Sequence, residues 1–301
     1  MLVAVWMLSL QDALVKLIST DATLWQFQLL RAAVNLCIVL TLARVVMPEQ
    51  SLRPKRVSMV GLRAVAHVLA LICFFGGAPL LTLAEMAAGL YTFPLFVVLL
   101  GWLVNRESVG VRRVAAVIAG FLGTLLILQP ASDAFKAVSV LPVCAGFFFG
   151  CYVIVTRRYC RQESPLVLVV GSNLVIAACA VIGWSLVAAL PLSDTQRAGY
   201  PFLLMTEWNL SIVFLSIVVG CALLNSSSNL FLSKAYQSAE SSFLAPFDYT
   251  YLILATFWGY LLWRDRPDYV TLAGMALIAA AGIFVALRER QLQRRMVSNR
   301  E

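Results

Sequence analysis

An all-α polytopic membrane fold, with about ten transmembrane helices in two inverted five-helix repeats, is predicted by three observations. The first is a charge deficit: 13% of the 301 residues are charged and 61% are hydrophobic, whereas soluble domains carry about 25% charged residues. So little polar surface suits lipid as the solvent, because lipid-facing side chains must be apolar. The second is a series of apolar runs, each long enough to approach the roughly 20 residues a span needs. The third is a motif that occurs twice, an odd number of spans apart.

The runs place spans at 1–18, 23–43, 59–77, 80–104, 112–129, 137–156, 165–190, 209–232, 241–263 and 269–287. Gly76, Gly77 and Pro79 mark a tight turn between the third and fourth. The segment Met1–Leu10 is apolar and lacks a basic n-region and an A-x-A site, so the chain is expected to begin inside its first helix rather than with a signal peptide. Arg44, Arg53, Lys55, Arg56 and Arg63 fall in one set of alternate segments, with Arg106, Arg112, Arg113, Arg157, Arg158, Arg161, Lys234 and the basic tail 289–301. The other set holds Lys136, Arg197, Arg264 and Arg266. That bias predicts a multi-pass protein of the inner (plasma) membrane with both termini cytoplasmic. It also makes topology, not nucleic acid, the reading of the +8 net charge. Cys37, Cys73, Cys144, Cys151, Cys160, Cys179 and Cys221 form no C-x-x-C pair and read as packing residues.

Residues 83–94 read LAEMAAGLYTFP, followed by GWLVNRE at 101–107; residues 237–246 read QSAESSFLAP, followed by GYLLWRD at 259–265. Each copy runs Ala-Glu, an apolar stretch with proline, Gly-aromatic-Leu, then Arg before an acid. Five spans separate the copies, so the second inserts upside down relative to the first. Halves at 1–130 and 137–288 are expected. Inverted repeats of this kind build secondary transporters with a site at the repeat interface near the bilayer midplane.

With Asp12-Ala-Leu-Val-Lys16 and Arg31, these segments make the chain resemble the drug/metabolite transporter superfamily, in its EamA type. The resemblance spans nearly the whole chain. It implies ten helices in two inverted halves, a central cavity and transport of small metabolites such as amino acids. Export is the favoured direction, with uptake or exchange as the alternative. Besides the small-molecule substrate, membrane lipid is the expected partner; a proton gradient is a possible source of energy. No cofactor, metal or nucleic acid is expected, and the sequence sets no oligomeric state.

Polar residues inside spans cost about 2.5–3.5 kcal/mol each when charged, so they face a cavity or a partner. Asp12 and Lys16 share a helix face at i,i+4. They are either a self-neutralising pair or a gate and proton-coupling pair. Arg31, with Gln28 before it and Asn35 one turn on, either holds a substrate carboxylate or phosphate in bidentate fashion or ties its helix to backbone carbonyls or Asp12. Tyr91, Phe93 and Pro94 in one copy, and Pro246, Asp248 and Tyr249 in the other, are expected to line the cavity, because proline frees a backbone carbonyl and the rings offer stacking surface. Glu85 and Glu240 occupy matching helix starts, where an acid offsets the dipole. Asn225 and Asn229 share a face of a polar stretch, either a wet wall or interhelical glue. Asn173 is an isolated intramembrane amide. His67, the one histidine, is read as packing or bonding locally. Gly146-x-x-x-Gly150 permits close helix approach.

Other classes fit poorly. A zinc protease needs H-E-x-x-H, which one histidine cannot supply; no serine sits in a nucleophile elbow; no G-x-x-x-x-G-K-[ST] loop binds ATP. Channels usually show pore rings or filter sequences, and an internal inverted repeat fits alternating access better. A non-transporting membrane scaffold remains, and would tolerate conservative changes at Arg31 and Asp248.

Overall fold

The protein, seen in a computed structural model, is described over residues 1–46, 53–105, 111–129, 137–238, 244 and 247–298; Glu107, Glu240 and Pro246 lie outside them. Helices joined by short turns and loops make up these residues, with no strand among them. The helices are α1 (Leu2–Ile18), α2 (Leu24–Val46), α3 (Val57–Gly76), α4 (Leu83–Leu90), α5 (Phe93–Asn105), α6 (Val111–Leu128), α7 (Val140–Tyr159), α8 (Pro165–Ala189), α9 (Asp194–Gly199), α10 (Pro201–Leu204), α11 (Ile212–Ser238), α12 (Thr250–Trp263) and α13 (Tyr269–Ser298). Counting α4 with α5 as one broken span, and setting aside the short α9 and α10, the described residues hold ten spans. Six are long and apolar enough by themselves to cross a membrane; the shorter apolar ones include 114–128, 250–263 and 269–285.

The fourth run, continuous in composition, is two helices. α4 opens on a reciprocal cap: Glu85 N donates to Thr82 Oγ1 at 3.2 Å, and Glu85 Oε2 accepts from Thr82 N at 2.7 Å. The acid at this helix start thus binds a backbone N–H as well as offsetting the dipole. α4 stops at Leu90, and Thr92 Oγ1 donates back to Gly89 O at 2.6 Å. Pro94 falls in the first turn of α5, where no N–H is required. The break therefore sits where a proline costs least.

The packing of spans repeats. α3 lies against α7 and α8, and α11 lies against α1 and α2; α4 and α5 lie against α7, and α12 lies against α1. α2 faces α8, α4 faces α12 and α6 faces α13. Exchanging every span for the one five places along the chain converts each member of the first pairs into the other and leaves the last three unchanged. An inverted duplication requires this pattern.

Glycines set the closest crossings. A Cβ on Gly146 would lie 2.8 Å from Gly89 O and 3.1 Å from Leu90 O, so α7 touches the α4 backbone. A Cβ on Gly123 would lie 2.8 Å from Gly274 O, where α6 meets α13. The G-x-x-x-G reading holds at Gly146 in particular. Gly146→Val is expected to lower the thermal stability of the detergent-solubilised protein, because overpacking costs about 1–3 kcal/mol. An unchanged melting temperature would show that α7 can move away without cost.

The chain between α8 and α11, read as loop, carries two short helices docked on one end of the bundle. Trp25 Nε1 donates to Leu203 O at 2.8 Å, Trp184 Nε1 to Thr206 O at 3.0 Å, and Gln26 exchanges two bonds with the Asn209 backbone at 2.6 and 2.9 Å. Phe202 is fully buried beneath them. At the same end, Asp268 accepts from Thr271 N and from Gln129 Nε2, both at 2.9 Å; these bonds, the Thr271 ones foremost, hold its carboxyl below the usual range. At the opposite end, Glu163 accepts from the backbone N–H groups of Arg56 and Lys55 at 2.8 and 3.1 Å.

Candidate functional site

The polar centre starts on α1. Asp12 is 8% exposed and sits two turns from the helix end. One carboxylate oxygen accepts from Gln11 Nε2 at 3.1 Å, and the other from the Tyr251 hydroxyl on α12. Arg31 on α2 is 5% exposed; its Nη2 donates to Gln28 Oε1 at 2.6 Å, and its charge interacts with that of Asp12. The Phe27 ring lies 5.2 Å from the guanidinium. One turn further on, Asn35 Oδ1 accepts from Ser226 Oγ of α11 at 3.1 Å. An acid and a base thus lie buried on neighbouring helices, each anchored by neutral groups.

Aromatic rings cover this centre. Tyr91, at the break between α4 and α5, stacks on Tyr251 with centroids 5.1 Å apart and planes 18° apart. Tyr249 meets Tyr91 edge-on at 5.5 Å, and Phe93 does so at 6.0 Å. Gly282 lies where any Cβ would strike the Tyr249 hydroxyl, so α13 admits this ring only because residue 282 has no side chain. Among the described residues, Tyr249 Oη and Gln11 Oε1 are buried polar atoms without a hydrogen-bond partner. Such atoms are uncommon in native structures and call for an explanation at each site.

Lys16 lies one turn past Asp12, yet the two reach different partners. Its Nζ donates to Leu81 O at 2.8 Å and to Asp265 Oδ2 at 3.4 Å, and lies 4.6 Å from the Trp263 ring. Asp265 thus ties α1 to the end of α12.

Of the residues singled out from sequence, Asp12, Gln28, Arg31, Asn35, Tyr91, Phe93 and Tyr249 converge on this centre. Pro94 sits one residue past Phe93, and Asp248 precedes Tyr249, half-buried. Asn173 bonds within its own helix, to Val169 O at 2.9 Å. Asn229 is exposed and bonds back to Asn225 O at 2.8 Å, so the serines supply the inward contacts of that segment: Ser226 to Asn35, and Ser228 to Ala4 O at 2.8 Å. Arg63, grouped above with the basic residues at span ends, is buried inside the bundle on α3. Gln11 was not among the residues singled out, and Tyr251 entered only as the end of the Pro246–Tyr251 segment expected to line the cavity. Both were visible in principle, one beside Asp12 and the other one turn beyond the proline of the second motif copy.

Ten apolar spans that bury an acid, a base and a stacked ring pair between them define a multi-pass membrane protein. Residues 137–288 match the EamA-like transporter family, and the chain belongs to that family. A riboflavin transporter of Vibrio cholerae serotype O1 is 29% identical over 97% of this chain and 95% of its own length. An S-adenosylmethionine uptake transporter of Rickettsia felis is 24% identical over 77% of this chain and 75% of its own. The pseudopaline exporter CntI of Pseudomonas aeruginosa is 23% identical over 91% and 90%. A solved crystal structure covering 96% of this chain and 97% of its own superposes with a TM-score of 0.51 at 16% identity, a likeness of fold.

Proposed function

We propose that this chain carries a flat heteroaromatic metabolite of the riboflavin class into the cell by alternating access. The observation that carries the reading is the Tyr91–Tyr251 stack bonded to Asp12, whose charge interacts with that of Arg31. Two parallel tyrosines can part to take a third ring between them, because every heteroaromatic has a π-face and stacking contributes about 1–3 kcal/mol per ring. Asp12 and Arg31 then meet the polar edge or hydroxyl-bearing chain of such a solute. The relatives named for riboflavin and S-adenosylmethionine support this class, since both compounds join a flat nitrogen heterocycle to a hydroxyl-bearing sugar-derived group. The relative named for S-adenosylmethionine uptake favours inward transport over the export expected from sequence.

In this reading the halves are 1–130 and 137–288, and the membrane is the inner one. The Lys/Arg bias puts both termini in the cytoplasm and the α9–α10 end outside. Asp12 is the carboxyl through which a proton gradient would couple, and the Lys16–Asp265 bond closes the outer side.

The test is growth. In a bacterium unable to make riboflavin, expression of this chain is expected to restore growth at external riboflavin too low for the parent strain, with accumulation of labelled riboflavin. Protein present in the membrane with neither growth nor accumulation would sink the proposal.

A further inference from the structure

The rings over Asp12 do not end there. Tyr251 and Tyr91 lead to Phe93, which meets Phe149 of α7 at 5.0 Å; Phe149 stacks on Tyr152 at 5.2 Å and 26°. Tyr152 lies under Arg63, whose guanidinium carbon is 4.4 Å from the ring. One unbroken row of rings therefore runs from Tyr251, bonded to Asp12, to Arg63, from the Asp12 side of the bundle towards the end that holds Glu163.

Arg63 lies deep in α3 and is 7% exposed. It donates to Tyr152 Oη at 2.7 Å, Thr156 Oγ1 at 2.9 Å, Ser172 Oγ at 2.9 Å and Leu168 O at 3.1 Å. All four acceptors are neutral, and among the described residues no acidic side chain lies within 4 Å. A guanidinium has five N–H donors, and the fifth, on Nη2, is uncommitted. One turn along α3, the His67 ring lies 5.0 Å from the Tyr152 ring, and its Nδ1 is buried without a partner among the described residues. The four bonds brace α3 against α7 and α8. A brace alone accounts neither for the unpaired imidazole nitrogen beside it nor for the ring row leading to it.

We propose that Arg63, His67 and Tyr152 form a second station for the transported solute, at the far end of the ring row. This rests on the reading of the solute as a flat heteroaromatic. Tyr152 and Phe149 take its face, as Tyr91 and Tyr251 do at the first station. The free Nη2 hydrogen takes a carbonyl or anionic oxygen at its edge, and His67 Nδ1 takes a neighbouring polar group. A solute handed along the row meets an aromatic surface at each step while the halves rock, face-on at the two stations and edge-on at Phe93, and trades Asp12 and Arg31 for Arg63 and His67.

Side-specific kinetics test this. Labelled riboflavin flux is measured in right-side-out and inside-out membrane vesicles holding equal amounts of the wild type, His67→Leu, His67→Gln or Phe149→Leu. The half-saturating concentration is expected to rise about tenfold for His67→Leu and Phe149→Leu when riboflavin is offered on the Arg63 face. It should stay near wild type from the other face, and His67→Gln, which keeps a polar edge, should recover part of the loss. A change of equal size from both faces, or a loss confined to maximal rate, would mean that these residues only hold the fold and would overturn the station. Wild-type vesicles that move no riboflavin from either face would overturn the substrate class and the station together.

Discussion

Asp12→Leu is expected to abolish transport, lowering uptake at limiting solute by at least about a hundredfold, while Asp12→Asn leaves the fold in place and transport still deeply impaired. The Leu change removes the acceptor of both the Tyr251 hydroxyl and the Gln11 amide, and takes away the charge that faces Arg31. Asp12 and Arg31 make no direct ion pair, so the charge acts through its field, and a buried guanidinium left without an opposing acid is costly enough to supply two factors of ten, about 2.7 kcal/mol. Each orphaned polar group adds a penalty of about 1–3 kcal/mol in a protein interior. Within a membrane these penalties shrink, because polar groups find other partners there and hydrogen bonds measure nearer 0.6 kcal/mol. The charge term should therefore dominate, and Asn separates the two. It has the size of Asp and one oxygen for Tyr251, and its N–H can meet Gln11 Oε1 once that amide turns over, so the charge is the main loss. Uptake of labelled solute at matched membrane abundance decides it. Wild-type uptake by Asp12→Asn would assign Asp12 to helix packing alone.

The ten-span bundle was legible in the sequence because lipid imposes its rule on every residue of a span, and because proline and charge punctuate the runs. Asp12, Arg31, Tyr91 and Tyr249 were legible for the converse reason: a charge or a paired aromatic-proline segment inside an apolar run is costly unless it does something. Arg63 escaped because its neighbours Arg53, Lys55 and Arg56 made it look like the end of a basic loop. Its burial depends on α7 and α8, roughly ninety residues and more away in the chain, and one-dimensional charge counting does not contain that distance. The Gln26–Asn209 exchange escaped for the same reason. Asn229 misled in the other direction: spacing showed that it shares a face with Asn225, but its bond back to the Asn225 carbonyl satisfies it locally. The break at Thr92 was hidden because composition does not change across it; the proline that marks it also suits the first turn of a new helix.

Tyr251 allows the ring and the hydroxyl to be weighed separately, and the ring is expected to matter more. Tyr251→Phe keeps the face that Tyr91 stacks on and loses the bond to Asp12, which still holds Gln11 Nε2 and the field of Arg31. A single neutral-donor bond to a charged acceptor contributes about 1.5–3 kcal/mol in water-soluble proteins and less between transmembrane helices. A rise in half-saturating concentration of severalfold is the expected result. Tyr251→Leu removes the ring as well, and with it both the stack on Tyr91 and the face offered to a heteroaromatic solute. Stacking of about 1–3 kcal/mol per ring corresponds to roughly 5- to 150-fold in affinity, over and above the hydroxyl loss. The solute itself supplies the control. An analogue with the ring system saturated cannot stack, so its weaker transport should differ little between the Tyr251→Phe and Tyr251→Leu carriers, whereas the flat compound should separate them widely. Equal loss for flat and saturated solutes would place Tyr251 in the support of Asp12 and remove the ring pair from recognition.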